Sequence, residues 1–140
     1  MRFEYPDEIT SDQMFRAFGQ TFQELLINAA MALFSIMYDF EEIKGKSTVK
    51  VEAKGVDKEK LLYDWLSNLL IEFEVEGVFF SSFSIESFEK TPEKEFHIIG
   101  TAKGGREMPE LRTHVKGITL HRFALERVNN EYVATVVVDV

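Results

Sequence analysis

The chain of 140 residues contains no cysteine. That excludes a disulfide framework, a thiolate zinc site and a thiol nucleophile. Long hydrophobic runs are missing too: none reaches the roughly 18 apolar residues needed to cross a bilayer. The opening Met1-Arg2-Phe3-Glu4-Tyr5-Pro6-Asp7-Glu8 lacks the basic flank and apolar core of a signal peptide, so a cytoplasmic protein is expected. Proline occurs only three times, and no linker long enough to divide two domains is apparent. Positive charge is scarce, with 16 Lys and Arg against 24 Asp and Glu for a net charge of −8. Such a balance argues against gripping nucleic acid through a broad phosphate-binding surface.

What is present is core-forming material. Apolar residues make up 45% of the chain, thirteen of them Phe, which suffices for one domain spanning residues 1–140. The charge is unevenly placed. Between Lys103 and Arg122 five basic residues face only Glu107 and Glu110, giving +3 and leaving −11 elsewhere. This window either balances an acidic fold locally or meets an acidic partner or a phosphate.

Met14–Phe18 reads as a first strand ended by Gly19. Thr21-Phe22-Gln23-Glu24 is a capping box opening a helix to about Met37 or Tyr38, with Leu25, Ala29 and Leu33 on one stripe and Leu26, Ala30 and Phe34 widening it. Thr48–Lys54 alternates, with Val49, Val51 and Ala53 inward. Asp57 caps a second helix to about Phe73, in which Trp65 is a core anchor and Asp64 lies on a solvated face. Strands then follow at 78–88, 95–102, 114–121 running on to 128, and 132–140, with Asn129-Asn130 as a hairpin turn. Residues 103–110 are expected to be the least structured. Gly104-Gly105 lacks the context of a phosphate-binding glycine loop. The order is βαβα followed by a run of strands. It predicts an α+β fold with an antiparallel or mixed sheet and two helices packed against it.

The terminal run Tyr132-Val133-Ala134-Thr135-Val136-Val137-Val138-Asp139-Val140 is the most β-prone in the chain. It ends on the Asp139 carboxylate and the α-carboxylate of Val140. Either this end reaches water, or a cation or basic group neutralises it. Asp12, at the mouth of the first strand, would complete an all-oxygen site with Asp139 and Val140. Such a site suits calcium, with magnesium or manganese as further hard cations, although spacing alone does not bring Asp12 to Asp139. His97 interrupts an apolar strand. His114 and His121 fall on opposite faces of an unbroken strand, and no zinc or serine-hydrolase motif is present. Lys116 and His121 are basic groups that either serve a partner or balance the carboxylates.

Several segments together resemble the archease family over essentially the whole chain. They are Ile9-Thr10-Ser11-Asp12-Gln13-Met14, Phe18-Gly19 with the capped helix after it, Tyr63-Asp64-Trp65-Leu66, Val115-Lys116-Gly117-Ile118-Thr119-Leu120-His121, and the ending Asp139-Val140. The resemblance implies a small α+β protein that activates the RNA-splicing ligase joining tRNA halves by promoting its guanylylation and turnover. It also implies a calcium site at Asp12, Asp139 and the Val140 carboxylate, an essential lysine at Lys116, and contact with tRNA only through the ligase. This sequence departs from the family pattern at Ile9, where a histidine is usual, and at Gln13, Gly117 and Leu120. A non-enzymatic, cytoplasmic accessory is therefore expected, with no membrane association. A small metal-dependent hydrolase and a general chaperone-like module are the alternatives.

Overall fold

The computed structural model describes residues 1–6 and 12–140. In chain order its elements are β1 (Phe3–Glu4), β2 (Asp12–Gly19), α1 (Phe22–Met37), a 3-10 turn (Phe40–Glu42), β3 (Ser47–Gly55), α2 (Lys58–Glu76), β4 (Phe79–Lys90), β5 (Phe96–Gly105), β6 (Gly117–Val128) and β7 (Glu131–Asp139). Both helices begin where their caps predict. Thr21 Oγ1 accepts from Glu24 N at 3.1 Å, and Asp57 Oδ1 accepts from Lys60 N at 2.8 Å. α2 runs one turn past Phe73, because its end is set by Gly77 in the left-handed region at φ 66°. That last turn, Glu74-Val75-Glu76, is exposed and so leaves no apolar periodicity to read.

The strands form two antiparallel sheets, β1-β2-β7-β6 and β3-β5-β4. The strands after α2 are shared between them, and the irregular segment 106–116 carries the chain from one to the other. α1 packs on β2 and β4, and α2 on β3 and β6, so each helix touches both sheets. This explains the broad apolar face of α1, which buries Leu25, Leu26, Ala29, Ala30, Leu33 and Phe34 completely. The inward set Val49, Val51 and Ala53 on β3 is buried as the alternation predicts.

Polar groups inside are satisfied. Trp65 Nε1 donates to Leu26 O at 3.0 Å, and Asn28 Nδ2 to Phe18 O at 2.7 Å. Tyr38 Oη donates to Phe80 O at 2.7 Å, and burial pushes this phenol far above the usual tyrosine range. Asp64 is structural: its carboxylate accepts from Lys54 N at 2.8 Å, while Asn68 donates to Glu52 O at 2.8 Å. The two side chains thus occupy backbone groups of β3, an edge strand of its sheet.

Residues 103–105 correct the expectation of an unstructured segment, since they complete β5. Glycine is required there by close approach. A Cβ on Gly104 would collide with the Phe79 carbonyl, and one on Gly105 with the Lys44 carbonyl.

Candidate functional site

The β2–β7 ladder decides what spacing along the chain does not. Its register pairs Asp12 with Asp139, Gln13 with Val138 and Met14 with Val137. Directly opposed residues project from the same face, so the two aspartates are cross-strand neighbours. On the other side of β7, Gly117 of β6 also stands opposite Asp139. The row across three strands is therefore Asp12, Asp139, Gly117. The last contributes no side chain, and a Cβ there would meet open space. Asp139 is exposed and Asp12 partly so, but the next residues on this face, Met14 and Val137, are buried at 3% and 0%. A pair of like charges thus stands on an apolar floor. The side chain of Val140, next after Asp139, packs against the core.

Lys116 is tied to the same end by its backbone, its N–H donating to Asp139 O at 2.7 Å. With Gly117 and Ile118 it lines a cleft of about 230 Å3 against Tyr63, Ser67 and Glu74 of α2. Tyr63 Oη reaches Ile118 O at 3.4 Å and holds the cleft wall to β6. Tyr63 and Glu74 were not legible as site residues, for nothing in α2 alone announces a neighbour 42 or more positions later.

The segment around His121 departs from the sequence expectation twice. First, 114–116 lie outside the strand, which starts at Gly117; His114 instead borders an apolar cavity with Met37, Phe73, Phe79 and Leu111. Second, β6 is interrupted: pairing passes from Thr119–Val137 to Ala124–Thr135, so Leu120-His121-Arg122-Phe123 stand opposite Val136 alone. Arg122 takes a left-handed φ of 58°, and Phe123 turns back to meet the Tyr63 ring at 5.6 Å. Leu120, His121 and Arg122 are left exposed on this excursion. The alternation argument placing His114 and His121 on opposite strand faces therefore does not apply. His97 is accounted for separately, 3.4 Å from Glu52 Oε2. Within the basic window, Arg112 faces Asp39 at 3.8 Å and Arg106 reaches Ser47 Oγ at 3.3 Å.

The donors at the Asp139 end are oxygens only, a chemistry that fits a hard divalent cation better than a soft one. Among the described residues no group of three or more His, Cys, Asp or Glu side chains is placed to hold a metal. At this end the side chains supply two carboxylates, Asp12 and Asp139. Ile9, where the family pattern has histidine, lies outside the described residues. Among the described residues no helix is long and apolar enough to cross a membrane.

Two antiparallel sheets clasping a pair of helices, with a carboxylate pair where the first long strand meets the last, define a small α+β domain of a recognisable class. The chain belongs to the archease protein family (MTH1598/TM1083), whose model matches residues 3–140. It is 37% identical to protein archease of Methanosarcina mazei, over 99% of this chain and 96% of that one. With protein archease of Archaeoglobus fulgidus it shares 36% identity over the full length of both. Among solved structures, Methanobacterium thermoautotrophicum protein 1598 superposes with a TM-score of 0.83 at 30% identity, covering 99% of this chain and 98% of that one. An archease of Thermotoga maritima described as a possible chaperone superposes at 0.57 and 22% identity, over 96% and 95%, and shares the fold.

Proposed function

We propose that this protein is a non-enzymatic accessory that activates an RNA-splicing ligase, promoting its guanylylation and multiple turnover. The observation that carries the reading is the register that sets Asp12 against Asp139 beside Lys116. Family membership supports it across nearly the whole chain. Asp12, Asp139 and the α-carboxylate of Val140 would hold a divalent cation, calcium first, with magnesium or manganese as other hard ions. When bound, that cation supplies positive charge at a tip that is otherwise anionic. Asp12 and Asp139 fix the position of that charge, and Lys116, oriented by its backbone bond to Asp139, presents a second positive group toward ligase or phosphate. His121, carried out of the ladder on the exposed excursion, belongs to the same partner-facing edge. With a net charge of −8, the protein meets tRNA through the ligase and not by itself. It works in the cytoplasm.

The test is ligase guanylylation with catalytic amounts of the cognate ligase, with and without this protein, repeated with Asp12→Ala, Asp139→Ala and Lys116→Ala in folded form. Restored turnover with wild type and its loss in the variants is the expected result. No stimulation by wild type would overturn the proposal. A second reading, a chaperone-like binding module, is favoured by the apolar cavity beside Leu111 and by the exposed Met108 and Val75. It predicts that aggregation of unrelated unfolded proteins is suppressed irrespective of Asp139.

A further inference from the structure

At the other end of β7, which begins with Glu131, two cations meet one phenol. Tyr132, seven residues and about 24 Å from Asp139 along the strand, is flanked by two cations. Lys58, the first residue of α2, places Nζ 2.9 Å from Tyr132 Oη and 5.2 Å from its ring centre, and 5.5 Å from the Phe22 ring. Arg127 stands directly opposite Tyr132 in the β6–β7 register, and its guanidinium carbon lies 4.2 Å from the centre of the ring. An Arg127 Nη also donates to Asn130 O at 3.3 Å, which fixes the orientation of the fork.

Neither cation has a carboxylate within 4.0 Å among the described residues, although Arg16, Lys60 and Arg112 each have one. The nearest acids in sequence to Lys58 are engaged elsewhere. Asp57 accepts from Lys60 N and lies 3.8 Å from Lys60 Nζ, and Glu59 accepts from Leu125 N at 3.1 Å. Two positive groups are thus gathered at one phenol in a chain that has acids to spare. Like charges brought together raise each other's free energy, a cost that an anion between them removes. Lys58 donates to Tyr132 Oη, so the phenol's own proton remains available to a third acceptor. α1 and α2 both begin at this corner, at Phe22 and Lys58, and the positive ends of their dipoles add to the same field.

We propose that Lys58, Arg127 and the Tyr132 hydroxyl form a binding site for a phosphate dianion, free or as a monoester, at the end of the terminal strand remote from the aspartate pair. A compact ammonium donor, a guanidinium fork and a phenolic O–H match the several acceptor oxygens of that ion. Stacking and hydrogen bonding hold both cations in place beforehand, so little side-chain freedom is lost on binding. The field at this site also draws the Tyr132 proton below the usual tyrosine range, mainly through the Lys58 hydrogen bond and then through Arg127.

The experiment titrates the full chain with inorganic phosphate at ionic strength held constant with chloride, followed by calorimetry and by the Tyr132 and Arg127 side-chain NMR signals. Saturable binding is expected. Lys58→Met and Arg127→Gln should each weaken it by about tenfold or more, the size of one lost charge-assisted hydrogen bond. Tyr132→Phe keeps the ring and weakens binding by less, which guards against reading a folding defect as lost affinity. Methyl phosphate is the second arm: equal affinity supports an esterified ligand, and binding of inorganic phosphate alone supports the free ion. Non-saturable shifts, or an affinity unchanged in folded Lys58→Met and Arg127→Gln proteins, would overturn the proposal.

Discussion

Asp12→Asn preserves the shape of its side chain and removes one of two like charges opposed across β2 and β7. The Cβ atoms of such a pair lie about 5 Å apart. Two unit charges at that distance repel by about 0.8 kcal/mol in the dielectric of water. With chelator present and at low salt, the variant should therefore be more stable than wild type by about 0.5–1 kcal/mol. In a domain of this size that corresponds to a rise of about 2–3 °C in Tm. Added salt should shrink the gain, since both carboxylates reach solvent. Calcium bound at the proposed site should invert the ranking: a ligand at a hundred times its Kd stabilises by about 2.7 kcal/mol, and only wild type keeps both of that site's side-chain carboxylates. Thermal unfolding followed by circular dichroism, in chelator and in calcium, measures all three effects. If Asp12→Asn is no more stable in chelator, the carboxylates do not face each other as the register requires. If calcium raises both proteins equally, the ion is held elsewhere.

Other substitutions test the core and the glycines. Tyr38→Phe leaves the Phe80 carbonyl without its partner and should cost about 1–3 kcal/mol in denaturant unfolding. The same residue sets an alkaline limit. Its folded-state proton is held far above the ordinary value of 10.0, so above pH 10 the unfolded chain loses that proton and the folded one does not. Stability then falls by about 1.4 kcal/mol per pH unit from this group, and Tyr38→Phe should flatten the slope. Tyr5, whose phenol burial pushes up to about 12, acts in the same sense between pH 10 and 12, whereas Tyr132, drawn below the usual value, adds stability only as pH rises toward 10 and has no further effect above it. Gly104→Ala should destabilise by more than about 2 kcal/mol through its collision with Phe79, and Gly117→Ala, facing open space, should change stability by less than about 0.5 kcal/mol.

Local chemistry in the sequence was enough to locate both helices, because Thr21 and Asp57 are caps whose side chains bond the backbone three residues on. Alternation identified the inward side of β3, and two asparagines with φ of 53° and 64° make the hairpin turn that Asn129-Asn130 implies. What remained hidden is non-local. Period-two alternation says which way a side chain faces and not which strand lies beside it, so the division into two sheets could not be read. The same limit applied to Asp12 and Asp139, whose meeting depends on the first long strand pairing with the last. The excursion at 120–123 escaped notice because no glycine marks its left-handed residue, which is Arg122. Gly104-Gly105 misled in the opposite direction: glycine disfavours a strand by propensity, yet only glycine fits where carbonyls press on β5.

The two ends of β7 are joined by a stretch with little freedom to transmit a signal. Between Tyr132 and Asp139 the inward residues Ala134, Val136 and Val138 are all fully buried, and β2 pairs with the strand without a break from Asp139 to Tyr132. A close-packed ladder of this kind has one arrangement, and coupling at a distance needs an element with two. Charge cannot bridge the gap either, since about 24 Å of strand is more than two Debye lengths at physiological salt. The stability changes caused by Asp139→Asn and Arg127→Gln should accordingly add to within about 0.5 kcal/mol in the double variant. Calcium affinity at one end should also be indifferent to phosphate at the other. A coupling energy above about 1 kcal/mol would show that the strand is not the rigid spacer its packing implies, and would point to the interrupted β6, the one neighbour of β7 whose pairing breaks between the two ends.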